Sequence, residues 1–179
     1  MNSPLLRTQG QRLILVVAML LIAPTLAQEP ANEERRLSFY HTHTSETLDI
    51  LYFKDGEYVT SALDDLNHFL RDFRTGDAVT MDPAVFDFLH DIQQVSGSTG
   101  TFQVISAYRS PATNEMLRGN SSGVANNSQH LLGKAIDVRL TDLDTAELRD
   151  TALLLQRGGV GYYFESDFVH VDTGRVRQW

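Results

Sequence analysis

The chain has 179 residues, of which 42% are hydrophobic and none is cysteine, and its formal net charge is −8. This length is sufficient for one domain with a sizeable core, and the lack of cysteine excludes both a disulfide framework and a lipid-anchored lipoprotein. The acidic balance argues against nucleic acid as a partner, because nucleic-acid affinity depends on lysine and arginine side chains that neutralise phosphates.

The first 27 residues have the three parts of a signal peptide. Arg7 and Arg12 provide a positive region, residues 13–23 an apolar core, and Thr25-Leu26-Ala27 a small-residue cleavage site. The apolar core is shorter than the ~20 residues that a membrane-spanning helix needs, although an uncleaved N-terminal anchor is the structural alternative. We therefore expect export, a polar linker over residues 28–36, and no integral membrane span once the signal is removed.

The first part of the domain predicts two strands followed by two helices. The strands are expected over residues 37–41 and 47–53, and His41 and His43 are interpreted as a solvated strand end rather than as a metal-binding pair. Apolar residues at helical spacing predict a helix over residues 61–74. A second helix is expected to begin at Asp82-Pro83, because aspartate is a favoured N-cap and proline is favoured at the first helical position.

The remainder of the chain predicts strands that alternate with helices. The expected elements are a strand over 102–106, a short helix over 111–117, a strand over 134–140, a helix over 144–157, and a hairpin of strands over 160–164 and 168–172. A small, polar loop follows Gly119 and leads into His130. This order favours an α+β domain in which helices cover one face of an antiparallel sheet, with no internal repeat and no second domain.

Three side chains in this second part have the character of metal ligands. His130 and Asp137 are separated by six residues that include Gly133, so a loop entering a strand could bring both side chains to one point. His170 lies in an alternating apolar and polar run, which would project His170 and Asp172 from the same face of a strand. Two imidazoles and one carboxylate are the three protein ligands that a catalytic zinc needs, with the fourth position left to water. The structural alternative is that His130 caps a loop and Asp137 hydrogen-bonds it.

The pattern Ser128-x-His130-x-x-Gly133-x-Ala135-x-Asp137, followed by a late strand histidine, resembles a family of zinc peptidases that cut D-amino-acid-containing peptides of bacterial cell walls. This family includes D-Ala-D-Ala carboxypeptidases and dipeptidases and the LAS-type murein endopeptidases, and the match is tightest with murein endopeptidases. It covers nearly all of the chain after residue 37, including residues 66–74, 105–110, 158–163 and 168–174. The resemblance implies one Zn²⁺ per chain, bound by His130, Asp137 and His170 on the open face of the sheet.

The resemblance also implies roles for two side chains near these ligands. Arg109 corresponds to the arginine that contacts the substrate or stabilises the transition state in the family, and its alternative is a surface salt bridge. Ser128 would contribute to the substrate side of the site by orienting a ligand or by bonding the loop backbone. The alternative for Ser128 is an ordinary turn serine.

Two carboxylates are candidates for the group that handles protons. In one branch of the family this group is a glutamate three residues before the last ligand, a position that Asp167 occupies here with one methylene less. In another branch it is a histidine two residues before that ligand, where this chain has Phe168. Asp172 is the other candidate because it shares a strand face with His170, and Asp167 is preferred to it as the base. The alternative for Asp172 is a structural partner of His170 or of a turn amide.

We therefore expect residues 37–179 to form an exported, zinc-dependent murein endopeptidase of the periplasm, whose partners are the peptide stems of peptidoglycan. Two alternatives stay open at this point. One is a D-Ala-D-Ala carboxypeptidase or dipeptidase, and the other is a non-catalytic peptidoglycan-binding module with a structural zinc site. The cross-link cut could join two diaminopimelates or D-alanine to diaminopimelate, and the oligomeric state is left open.

Overall fold

The computed structural model describes residues 33–120 and 125–179, which form four α-helices and one sheet of eight strands. The strands are β1 (Glu34–His41), β2 (Thr47–Lys54), β3 (Glu57–Tyr58), β4 (Phe102–Ser106), β5 (Ala135–Leu140), β6 (Gly159–Tyr163), β7 (Phe168–Asp172) and β8 (Arg177–Gln178). The helices are α1 (Thr60–Phe69), α2 (Pro83–Ser96), α3 (Pro111–Asn120) and α4 (Thr145–Leu155). No helix in this described part has the length and apolar character of a membrane span.

The N-terminal predictions fall largely outside this part of the chain. The predicted signal peptide, residues 1–27, and the linker residues 28–32 lie outside the described residues. Strand β1 begins at Glu34 rather than at Leu37, so the last residues of the expected linker belong to the sheet.

The sheet has the strand order β3-β2-β1-β4-β5-β7-β6-β8. The sequence predicted an antiparallel sheet, and the pairs are antiparallel except for β1 with β4 and β6 with β8, so the prediction is confirmed for most of the sheet. The parallel pair β1–β4 arises because α1 and α2 lie between these strands in the chain, and parallel neighbours need such a crossover. The two-residue strands β3 and β8 were not predicted, because so short a segment has no detectable alternation.

One hydrophobic core joins the sheet to the helices. Alternate residues of the central strands are fully buried in it, namely Phe102, Val104, Ile136, Val138, Val169 and Val171. They share this cluster with side chains of three helices, including Leu66 of α1, Phe86 and Ile92 of α2, and Leu148 of α4. Because successive side chains of a strand point to opposite faces, the intervening residues of β5 and β7 point away from this core.

Helix α2 begins with Asp82 as N-cap and Pro83 as its first residue, as predicted, whereas the predicted end of α1 is wrong. Asp82 accepts a hydrogen bond from Ala84 N at 3.1 Å as the N-cap of α2. Helix α1 ends at Phe69 instead of continuing to Arg74. The buried carboxylate of Asp72 instead accepts Arg74 N at 3.0 Å and Ser110 N at 2.9 Å. This long-range bond anchors a loop where the apolar spacing predicted more helix.

The interpretation of His41 as solvated is also wrong. His41 ends β1 and is 1% exposed, because Phe69 and Phe73 pack against it with ring centres 5.9 and 5.7 Å away. His43 is exposed, as expected, and stacks on Phe73 at 4.1 Å. The two histidines therefore differ in environment although only one residue separates them.

A single carboxylate on α2 ties this helix to three strands. Asp87 Oδ1 accepts hydrogen bonds from Arg35 of β1 at 2.8 Å and from Tyr52 of β2 at 3.1 Å, and Oδ2 accepts one from Tyr58 of β3 at 2.6 Å. Burial raises the pKa of Tyr52 above its ordinary value, so its hydroxyl remains a donor. Asp87 thus stabilises the edge of the sheet that lies far from β7.

Replacing this carboxylate by Asp87→Ala should lower the free energy of unfolding by about 2 kcal/mol, because the buried Tyr52 hydroxyl and the Arg35 guanidinium lose a charged acceptor. Urea denaturation monitored by circular dichroism measures this loss. The control Asp65→Ala alters an exposed position on α1 and should change stability by no more than about 0.5 kcal/mol. Equal losses in the two variants would contradict the role given to Asp87.

Candidate metal centre

A tight turn before β5 positions His130. Residues Gln129–Leu132 form one turn of 3-10 helix, in which Ser128 Oγ accepts the N–H of His130 at 3.3 Å. Gly133 ends the turn with a φ of 65°, and a Cβ there would lie 2.8 Å from Thr80 O. Only glycine fits both the left-handed backbone and this close approach. The sequence predicted a plain loop here, because one turn is too short to show periodicity.

The other two predicted ligands come from paired strands. Asp137 of β5 and His170 of β7 lie directly opposite each other in the antiparallel register. Both alternate with core residues, so both side chains project from the face opposite Ile136 and Val171. Directly opposed residues have Cβ atoms about 4.5–5.5 Å apart, which lets the carboxylate and the imidazole reach a common point.

The structure brings the three predicted ligands together. His130 Nε2 lies 3.1 Å from His170 Nδ1 and 3.2 Å from Asp137 Oδ1, and His170 Nδ1 lies 2.8 Å from Asp137 Oδ1. All three residues are buried, with 2%, 6% and 3% exposure for His130, His170 and Asp137. Ligand atoms of a tetrahedral zinc with bonds of about 2.0–2.1 Å lie roughly 3.3 Å apart, so the cluster has the dimensions of a metal site.

The hydrogen bonds behind the two imidazoles show why a cation fits between them. His130 Nδ1 lies 2.6 Å from Ala107 O, which can only accept, so this nitrogen donates and leaves a lone pair on Nε2. His170 Nε2 lies 2.8 Å from the Asp172 carboxylate, so it donates and leaves a lone pair on Nδ1. Two lone pairs and the Asp137 oxygen therefore converge, and the donor set fits a divalent metal.

The electrostatics of the cluster favour the ligand forms of two of these groups. Burial lowers the pKa of His130, which keeps that imidazole neutral. Burial disfavours ionised Asp137, but interactions with His130 and His170 outweigh it and hold the pKa of this carboxyl far below its usual range. For His170, burial is again outweighed by hydrogen bonds to Asp137 and Asp172, which raise its pKa. Two carboxylates thus attract positive charge to the His170 imidazole.

Arg109 and Ser128 both lie at the cluster. Arg109 Nη2 donates to Asp137 Oδ2 at 2.5 Å, and its Nε donates to Ser106 Oγ at 3.0 Å. With 14% of its side chain exposed, Arg109 pairs with a ligand instead of forming a surface salt bridge. Ser128 bonds the loop backbone, and both residues line the same cavity.

The two candidate carboxylates have different environments. Asp172 is fully buried and accepts hydrogen bonds from His170, from the backbone of Gly159 and Gly174, and from both Nη atoms of Arg177. Both carboxylate oxygens of Asp172 therefore accept hydrogen bonds from the protein. This environment agrees with the alternative in which Asp172 is a structural partner of His170 and of turn amides.

Asp167, in contrast, is not brought to the cluster. Its side chain is 60% exposed, pairs with Arg139 at 2.9 Å and accepts from Thr145 Oγ1 at 2.9 Å. It is not among the residues that line the cavity beside the ligands.

That cavity has a volume of about 550 Å³. Its wall includes His43 and Arg74 and, from the C-terminal strands, Tyr163, Phe168, Arg177 and Trp179. Neither Arg177 nor Trp179 was predicted from the sequence. Trp179 packs on His170 with ring centres 5.2 Å apart and donates from Nε1 to Tyr163 Oη at 2.9 Å.

A signal for this packing exists in the sequence of β6. A Cβ at Gly161 would lie 2.6 Å from the Trp179 indole, and a Cβ at Gly159 would lie 2.5 Å from Asp172 Oδ2. Glycines at alternate positions of a strand mark a face that another group approaches closely. Gly159 and Gly161 thus indicate which face of β6 is covered by the C-terminal residues.

The sequence is similar to those of known peptidoglycan endopeptidases. A peptidase M15 family model described as "Peptidoglycan L,D-endopeptidase MepK" matches residues 29–179. The peptidoglycan L,D-endopeptidase MepK of Escherichia coli K12 is 39% identical over 162 residues, which cover 90% of this chain and 89% of that protein. A probable peptidoglycan L,D-endopeptidase MepK of Haemophilus influenzae is 39% identical over 155 residues, covering 86% of this chain and 83% of that protein. No solved structure gives a significant match. The chain therefore belongs to the peptidase M15 family of MepK-type peptidoglycan L,D-endopeptidases.

Proposed function

We propose that this protein is an exported, zinc-dependent endopeptidase that hydrolyses peptide cross-links of peptidoglycan. The observation that carries the proposal is the convergence of His130 Nε2, Asp137 Oδ1 and His170 Nδ1 beside a cavity of about 550 Å³. Each ligand is held from behind by a different group, as metal ligands usually are. The site would lie on the face of the sheet opposite the hydrophobic core.

Zinc is the metal that this donor set suits best, because two imidazoles and one carboxylate leave one tetrahedral position open. When bound, zinc supplies Lewis acidity that activates water and polarises a peptide carbonyl. The chain's own residues hold the ligands and orient the substrate.

Arg109 has the position of a substrate-orienting residue. Its Nη2 and Nε hold Asp137 and Ser106, while the guanidinium still lines the cavity. The guanidinium can therefore orient the peptide carbonyl and stabilise the negative charge that develops on its oxygen. Ser128 supports the same geometry by fixing the turn that carries His130.

We assign Asp172 as a positioning residue that acts through His170. Its bond to Nε2 fixes the tautomer and the ring orientation of that ligand, and its remaining lone pairs are engaged by Arg177 and backbone amides. The exposed ion pair of Asp167 with Arg139 argues against a catalytic role for Asp167.

The names of the relatives support one type of cross-link. Diaminopimelate has an L and a D centre, so a bond between two diaminopimelates joins an L to a D centre, whereas a D-alanine–diaminopimelate bond joins two D centres. The description L,D-endopeptidase therefore favours the diaminopimelate–diaminopimelate cross-link, and it favours an endopeptidase over a carboxypeptidase or dipeptidase. Because peptidoglycan lies outside the cytoplasmic membrane, the proposal includes residues 1–27 as a signal peptide and the periplasm as location.

Digestion of purified sacculi by the zinc-loaded protein should convert cross-linked muropeptide dimers into monomers, as measured by liquid chromatography and mass spectrometry. A chelator should abolish this conversion and added zinc should restore it. Without the metal, none of the ligand side chains can activate the water and polarise the peptide carbonyl as zinc does. Shortened stems with intact cross-links would instead establish a carboxypeptidase. Unchanged sacculi in the presence of bound zinc would favour the non-catalytic binding module.

The two candidate carboxylates provide a matched pair of variants. Asp172→Asn should weaken zinc affinity by about 10–100-fold, because it removes the charged partner that orients His170. Asp167→Asn should leave zinc affinity and muropeptide cleavage close to those of the parent protein. Competition with a chromophoric chelator measures the affinity. Loss of cleavage by Asp167→Asn with zinc still bound would contradict this assignment and make Asp167 the proton acceptor.

A further inference from the structure

Three guanidinium groups line the cavity, and two of them already have a carboxylate partner. Arg109 pairs with Asp137, and Arg177 pairs with Asp172. Arg74 is the third, and within residues 33–120 and 125–179 no carboxylate lies within ion-pair distance of it. An arginine in a binding cavity that has no internal anion is available for an anionic ligand.

The protein nevertheless holds Arg74 in a defined place. Its guanidinium carbon lies 4.1 Å from the centre of the Phe73 ring, and the His43 ring stacks on Phe73 at the same distance of 4.1 Å. Two groups this close to one ring centre must occupy its opposite faces, so His43, Phe73 and Arg74 form a layered unit. Arg74 is exposed, and the cation–π contact restrains its guanidinium while its N–H groups can donate to a ligand.

The loop that carries Arg74 is also tied to the reacting end of the cavity. The buried Asp72 carboxylate accepts Arg74 N at 3.0 Å and Ser110 N at 2.9 Å, directly beside Arg109. Arg109 N in turn donates to His130 O at 3.3 Å. One run of hydrogen bonds therefore sets the position of the Arg74 backbone relative to His130, a proposed metal ligand.

The chemistry of the proposed substrate supplies a matching group. The diaminopimelate that contributes an amino group to the cross-link keeps the carboxyl group on that same carbon, directly beside the scissile bond. Arginine presents a planar fork of N–H donors that binds a carboxylate through two parallel hydrogen bonds. Anions are also favoured here because the cavity wall includes three guanidinium groups but Asp137 as its single described carboxylate.

We propose that Arg74 is a specificity-determining residue that binds a free carboxylate of the peptide stem next to the bond being cut. This inference rests on the proposed function, since it concerns the substrate of the same cavity. Arg74 contributes recognition of the stem, whereas Arg109 contributes at the scissile carbonyl.

The test uses zinc-loaded protein and synthetic cross-linked peptides in which each free carboxylate is converted to an amide, one at a time. Arg74→Gln should lower kcat/KM for the unmodified peptide by about tenfold or more, which is typical of a lost hydrogen bond to a charged group. For one amidated peptide, the parent protein and Arg74→Gln should have equal kcat/KM, because the group that Arg74 binds is gone. Arg74→Lys should recover part of the loss, since it restores the charge without the fork.

Arg36→Gln is the matched control, because it removes one positive charge from a side chain on β1 that is 66% exposed and does not line the cavity. It should behave as the parent protein on every peptide. Unchanged cleavage by Arg74→Gln, or a loss of the same size on all amidated peptides, would overturn the role of Arg74. A parent protein that binds zinc and cuts none of the peptides would instead overturn the proposed function itself.

Discussion

The register between β5 and β7 is the constraint on which the candidate metal centre depends. It places Asp137 directly opposite His170, and burial of Val138 and Val169 on the other face fixes it. A slip of one residue would turn His170 toward the core and bring a valine to the cluster, because side chains alternate along a strand. Hydrophobic burial, which needs no metal, therefore positions two of the three proposed ligands.

The third ligand and the groups around it come from elements that are far apart in sequence. His130 is fixed by a turn that Gly133 closes and by the carbonyl of Ala107 at the end of β4. Asp172 holds His170 and is itself held by Arg177 from the C-terminal strand. Several rigid elements thus share the task of orienting the ligands, which gives a more precise site than one loop could provide.

The convergence of His130, Asp137 and His170 was predictable because the signals of these residues are local. His130 and Asp137 share one short motif, and His170 lies in a run that alternates clearly. The end of α1 was not predictable, because it depends on a hydrogen bond between the Asp72 carboxylate and the backbone of Ser110, a residue distant in sequence. The preference for Asp167 over Asp172 as the base had no local signal behind it, since both are aspartates close to His170. Only the fold shows that one faces Arg139 at the surface while the other is fully buried.

The position of His170 in the chain has a consequence for folding. Strands β1, β2 and β4 and helices α1 and α2 precede it and can assemble from residues already available, whereas His170 belongs to the last antiparallel pair of the sheet. Pairing β7 with β5 closes a loop that contains the whole of α4, and loop closure of this kind costs entropy before any contact forms. A chain that emerges N-terminus first therefore has no complete ligand set until its C-terminal strands dock. The candidate metal centre is therefore one of the last parts of the molecule that folding can complete.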